Sequence, residues 1–194
     1  MYALNLNFIM GFDNAIFNEQ TLQKLRTEFN DYPLLETIQP GVWILKNANR
    51  FILLGPNQIA HGKSDHLTDI NINEIKSLFE KIIEVLEIQD KVKLIFTSEF
   101  ISSPFEYSIL NKSIEKYNYT APKNTVGIGY RYIIQNEELT GEIKVEPFIR
   151  EGNKVFYAIN LESINTLSSI EFTDMLLEVW AYTGKLGELS NDLF

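Results

Sequence analysis

The chain has 194 residues, 45% hydrophobic and 22% charged, an ordinary globular balance, and is long enough to bury roughly 70% of its unfolded surface. Its 17 Lys and Arg stand against 26 Asp and Glu, a net charge of −9 shared as 7 against 12 over residues 1–90 and 10 against 14 over 91–194. It holds no cysteine, which excludes disulfides, thiolate metal sites and thiol catalysis and fits a reducing compartment.

Neither half carries a basic run, so nucleic acid and anionic membrane surfaces are disfavoured partners, both of which need clustered Lys and Arg. The start, Met1 to Asn7, alternates apolar and polar residues. It lacks the basic segment and continuous apolar core of a signal peptide. No apolar stretch approaches the ~20 residues of a membrane-spanning helix, so a cytoplasmic protein is expected. Abundant Ile, Asn, Lys and Glu point to an AT-rich microbial genome.

In chain order, Tyr2, Leu4, Leu6, Phe8 and Met10 alternate with Ala3, Asn5, Asn7 and Ile9, the period of a strand with one apolar face. A helix is expected from about Asn18, with Leu22, Leu25 and Phe29 on one side and Pro33 barring its continuation. Strands follow at about 34–38, 42–47, 50–55 and 58–61, with turn chemistry at Asn47-Ala48-Asn49 and Gly55-Pro56-Asn57. A helix over about 72–86 opens on an Asn71/Glu74 capping pair and carries Ile75, Leu78, Phe79, Ile82, Ile83 and Leu86 as its stripe.

From Val92, Leu94 and Phe96 the order begins again. Ser103-Pro104-Phe105-Glu106 reads as a helix start, with Leu110, Ile114 and Tyr117 on the helix. Strands are expected at about 125–135, 141–150 and 154–162. Ser168 and Glu171 then cap a last helix bearing Phe172, Met175, Leu176, Val179 and Trp180, and Gly184 suits its C-terminus. Leu22, Lys24, Phe29 and Asn30 recur 88 residues on as Leu110, Lys112, Tyr117 and Asn118. Ile75, Leu78, Phe79, Ile82 and Ile83 recur 97 residues on as Phe172, Met175, Leu176, Val179 and Trp180. The expectation is an α+β protein of two similar β-α-β(3–4)-α halves, 1–90 and 91–194, packed as one unit, with antiparallel sheets and helices mainly on one face.

This order, used twice, resembles the tandem architecture of TATA-binding-protein-like folds. The resemblance covers the whole chain in fold order only. That family's DNA-binding devices, basic residues and wedge-like phenylalanines on the saddle underside, have no counterpart in an acidic chain with Asn5 and Asn7 on its first strand. Fold order therefore carries no function here.

Three motifs bear on chemistry. Gly55 to Ser64 superficially suggests a phosphate loop, but Asn57 stands where the first glycine belongs and no helix starts at Lys63, so a turn between edge strands is expected. His61, Asp65 and His66 are potential zinc or iron ligands, yet neither spacing matches a metal site. A solvated turn is the preferred reading, with no metal and no cofactor. In Val126 to Ile134, alternation puts Gly127, Gly129, Arg131 and Ile133 on one face, which paired strands would extend with Lys144, Glu146, Phe148, Phe156, Ala158 and Asn160. Charge mixed with aromatic rings suits a contact surface; an Arg131–Glu146 ion pair on a solvated sheet is the plain alternative.

Val42-Trp43-Ile44-Leu45 and Phe51-Ile52-Leu53-Leu54 are apolar at every position, so both faces of these strands call for cover. With no clustered catalytic constellation, the chain reads as a non-catalytic binding or assembly module. It is expected to act through a sheet face on itself or on another protein, with candidate contact residues Arg131, Lys144, Glu146, Phe148 and Phe156. A small-molecule binder or enzyme with a cleft between the halves, Arg131 holding an anion, is the rival.

Overall fold

A computed structural model of the protein describes residues 1–12, 18–48, 50–63, 65–89, 91–117, 125 and 127–194. In chain order the elements are β1 (Tyr2–Gly11), α1 (Glu19–Glu28), β2 (Leu34–Gln39), β3 (Val42–Asn47), β4 (Arg50–Gly55), β5 (Gln58–Lys63) and α2 (Ile72–Leu86), the last preceded by a short 3₁₀ turn, Leu67–Asp69. There follow β6 (Lys93–Ile101), α3 (Ile109–Tyr117), β7 (Tyr130–Gln135), β8 (Leu139–Pro147), β9 (Val155–Ser163), α4 (Ser169–Gly184) and α5 (Leu186–Leu193). Asn49, Ser64, Asn118 and Val126, and the side chain of Tyr117, which the sequence reading used, lie outside the described residues.

The strands form one continuous nine-stranded sheet in the order β2-β3-β4-β5-β1-β6-β9-β8-β7, antiparallel throughout. The fold is α+β. β1 and β6 pair at the centre, which merges residues 1–90 and 91–194 into one sheet.

Residues directly opposite one another on neighbouring strands share a face, so the register sorts the side chains. Leu6, Phe8 and Met10 of β1 stand opposite Lys63, His61 and Ile59 of β5 on one side and Ser98, Phe96 and Leu94 of β6 on the other. The helices cover this face. Phe8 lies against Phe96, ring centroids 4.8 Å apart, and 6.3 Å from Trp180 of α4. Phe79 of α2 meets Phe172 of α4 edge-on at 5.2 Å, a preferred aromatic geometry. All of these but Trp180 are fully buried.

The α1 helix starts as its sequence indicates. Asn18 accepts from the N–H groups of Gln20 (2.9 Å) and Thr21 (3.0 Å), and its own N–H donates to the Thr21 hydroxyl at 2.8 Å. Ser168 and Glu171 make the same reciprocal pair at α4, at 3.4 and 2.7 Å. At α2, Asn71 accepts from Asn73 N at 3.1 Å while its amide reaches the Glu74 carboxylate at 3.3 Å, so Glu74 holds the side chain rather than the backbone of the cap.

Five local expectations are corrected. A β-bulge between Ala3 and Asn5 re-phases β1. Ala3 therefore joins the buried row, and Tyr2 and Leu4 turn outward, 39% and 44% exposed. The Ser103-Pro104 helix start is not used, because Phe105 N–H is tied to the Asn153 carbonyl at 2.8 Å; α3 begins at Ile109, with Ser108 accepting from Asn111 N at 3.3 Å. Strand β8 ends at Pro147, and Phe148 sits in the connecting turn, its N–H on the Lys154 carbonyl at 2.8 Å. Gly184 closes α4 without a left-handed turn, and the chain runs through Lys185 into α5. The Gly55–Gln58 hairpin joins β4 and β5, which are interior strands; the edges are β2 and β7.

Candidate functional site

Among the described residues no element covers the other face of the sheet. Its central row runs Ile44 (β3), Leu53 (β4), Ala60 (β5), Ile9 (β1) and Ile95 (β6), each directly opposite the next. The consecutive apolar residues of β3 and β4 are thereby divided, with Trp43, Leu45, Ile52 and Leu54 toward the helices and Ile44, Phe51 and Leu53 on the open face. Phe51 is partly self-covered. Its ring lies over Gly62, where an added Cβ would collide with it. Beside the apolar row stand Asn7, Thr97 and Asn160, with the Asn7 amide donating to the Thr97 hydroxyl at 3.2 Å.

The strands also place four cations, Lys46, Lys93, Arg131 and Lys144, and five carboxylates, Glu36, Glu99, Glu142, Glu146 and Glu162, on this face. The remaining 13 cations and 21 carboxylates leave the rest of the chain at −8. The open face is within one charge of neutral.

Four of the five candidate residues read from sequence meet here. Arg131 is opposite Lys144, and Phe156 is opposite Glu146 and Ile101; Phe148 stands apart in its turn. The ion pair differs from the one expected. Arg131 Nε binds Glu142 Oε2 at 3.1 Å and Lys144 Nζ binds Glu142 Oε1 at 3.0 Å. Glu146 does not reach Arg131 because its stem lies over Gly129, in the space a side chain there would fill. Hydrogen bonding from Lys144, reinforced by the charges of Arg131 and Lys144, holds the Glu142 carboxyl below its ordinary range.

The helix-covered face holds a second polar site, one that sequence reasoning missed. The two-residue hairpin at Pro56-Asn57 sets the β4–β5 register and puts Arg50 directly opposite Lys63 and Ile52 opposite His61. Above them pass Tyr32, after α1, and Asn71 and Glu74, at the start of α2. Tyr32, Arg50, His61, Lys63, Asn71 and Glu74, with Ile75 and Leu78, line a chamber of about 20 Å³, room for a single water molecule. It adjoins a groove of about 500 Å³ that shares Tyr32, Arg50, Asn71 and Glu74 as walls.

His61 is thus a strand residue only 2% exposed, not part of a solvated turn. Its Nδ1 and the Tyr32 hydroxyl are both buried without a hydrogen-bond partner. His66 lies elsewhere, its ring edge-on to Tyr2 at 5.3 Å, and no group of three potential ligands for a metal occurs among the described residues. Burial, then the charges of Arg50 and Lys63, push the His61 imidazole down to about 4, so it is neutral at pH 7. Burial likewise pushes the Tyr32 hydroxyl up to about 12, against the pull of Arg50.

The two cations are loosely held. Arg50 is 3.9 Å from Asp31 and 5.5 Å from the Tyr32 ring centroid. Lys63 is 3.4 Å from Asp65 and donates to the Asp69 carbonyl at 3.2 Å. The paired register of Arg50 and Lys63 was readable from the tight turn, but that both point at the helices was not.

No protein-family model matches the chain, and no curated protein matches it in sequence.

Proposed function

We propose that the protein is an assembly module whose open sheet face seats a second copy of its own chain. The observation that supports this is the near-neutral, apolar-centred face on a molecule of net charge −9. Two acidic copies repel least where their surfaces carry least net charge. Nine strands about 4.8 Å apart and six residues deep at about 3.3 Å span a face of roughly 860 Å², close to the ~800 Å² per partner of a stable interface. The same lack of net positive charge favours a protein occupant over nucleic acid.

We further read the sheet order as an internal duplication. β1 and β6 sit at the centre, β3–β5 and β7–β9 run outward in the same sense on either side, and α2 and α4 follow the last strand of each set. On this reading β2 is an addition to the first copy. Arg131, Lys144, Glu146 and Phe156 form one end of the contact surface.

Size-exclusion chromatography with light scattering tests the proposal. The native chain should run as a dimer at high concentration, and Ile9→Lys/Ile95→Lys should run as a monomer with an undiminished melting temperature. A native chain that stays monomeric at the highest concentration reached refutes self-association; if it then retains another protein in pull-downs through the same two isoleucines, the face binds a different partner.

A further inference from the structure

We infer that the cleft between α2 and strands β4–β5 is a binding site for a small molecule carrying one oxyanion group, a phosphate or a carboxylate, which Arg50 holds directly and the buried Tyr32 hydroxyl holds through one water. This site is independent of the open face, since it lies on the helix-covered side of the sheet.

Three observations converge on it. Arg50 and Lys63 are directly opposite one another on the covered face, their side chains only 33% and 12% exposed. Like charges in that position destabilise a sheet, and carboxylates offset them only partly, at 3.9 and 3.4 Å. Tyr32 and His61, 4% and 2% exposed, line the same chamber, and the Tyr32 hydroxyl and His61 Nδ1 have no partner. An unmet polar atom in a buried site carries a desolvation penalty, and here two of them stand where chamber and groove together are lined by three cations, Arg50, Lys63 and Lys81, against two carboxylates, Asp31 and Glu74, a balance that an anion and its water complete. Finally, the adjoining groove is open to solvent and has the volume of a small-molecule site.

The dimensions assign the positions. The inner chamber is too small for an oxyanion and takes one water, which links the bound group to the Tyr32 hydroxyl and His61 and lies within the field of Lys63. The oxyanion occupies the groove at the wall formed by Arg50 and Tyr32. Arg50 has donors to spare, since its contact to Asp31 is a single long one and a guanidinium offers five N–H groups. The groove walls also hold Asn71 and the Glu74 carboxylate, already joined at 3.3 Å. They repel a second anionic group and suit a hydroxyl or amine on the ligand. The expected class is therefore a compact phosphate or carboxylate with a neutral or cationic polar substituent.

Because the chain contains only two histidines, imidazole NMR reads the site directly. Inorganic phosphate and acetate are titrated separately into the native protein, Arg50→Gln and Tyr32→Phe. At least one anion should shift the His61 signals saturably and leave those of His66 unmoved. Arg50→Gln should weaken binding about tenfold or more, the usual effect of losing a charge-assisted contact. Tyr32→Phe should weaken it severalfold while leaving the melting temperature undiminished, because the hydroxyl it removes has no partner in the protein. Response to phosphate alone identifies a phosphoryl ligand, and response to acetate alone a carboxylate. If neither anion shifts His61 saturably, or if the shift is the same in both variants, the inference is overturned. Should Arg50→Gln fail to fold, Tyr32→Phe decides alone.

Discussion

Replacing His61 with glutamine should flatten the acid limb of the protein's stability curve. In the unfolded chain the imidazole titrates near 6.5, whereas in the fold it is held at about 4. Between these values the unfolded state binds more protons than the native state, so stability falls as pH falls from 6.5 toward 4. Above 6.5 the ring is neutral in both states and contributes nothing to the slope. Integration of the two titrations gives a loss of under about 1 kcal/mol at pH 6, about 2 at pH 5 and about 3 at pH 4. Glutamine is neutral at every pH, and the carboxylates are common to both proteins, so their contributions cancel in the difference. The assay is urea unfolding of the native chain and His61→Gln at half-unit steps from pH 4 to 7.5, without phosphate or acetate. The gap between the two should shift by about 3 kcal/mol in favour of the variant on going from neutral pH to pH 4. A gap that stays constant across the series would show that His61 is not a buried neutral imidazole, and the description of the cleft would fail with it.

Gly62→Ala should lower stability by about 1–3 kcal/mol by driving the Phe51 ring off the strand, and the cost should shrink in a Phe51→Ala background, as a double-mutant cycle measures. Ser168→Ala should remove the hydroxyl that accepts from Glu171 N and cost about 1 kcal/mol in chemical unfolding. Arg131→Ala should change stability by less than about 1 kcal/mol, since the side chain is 60% exposed, and that small effect should vanish in high salt; a large, salt-independent loss would mean that Arg131 supports the fold and not a surface.

The element order as far as α4, the cap at Ser168 and the amphipathic stripes of α2 and α4 were legible because they depend on residues within one turn or two strands of each other. The faces were less legible. One extra residue at the Ala3–Asn5 bulge reverses Tyr2 and Leu4, and no alternation pattern shows where a bulge falls. Arg131 was correctly placed among Lys144, Glu146 and Phe156, yet its partner is Glu142, because Glu146 spends its stem on Gly129. The cleft escaped entirely. Its polar walls come from β4, β5, the end of the α1 turn and the start of α2, and each residue taken singly reads as ordinary surface.

By itself, then, the sequence determined the nine strands and four of the five helices among the described residues, where three of those helices begin, and that an acidic, cysteine-free chain has apolar strands with two sides to cover. Only the tertiary structure decided that β1 and β6 fuse everything into a single sheet, that the helices share one face and that His61 and Arg50 lie beneath them. The physical reason is range. Caps, periodicity and two-residue turns act over a few residues, whereas the β1–β6 pairing and the burial of β5 depend on side chains about 90 and about 50 residues apart meeting in one register.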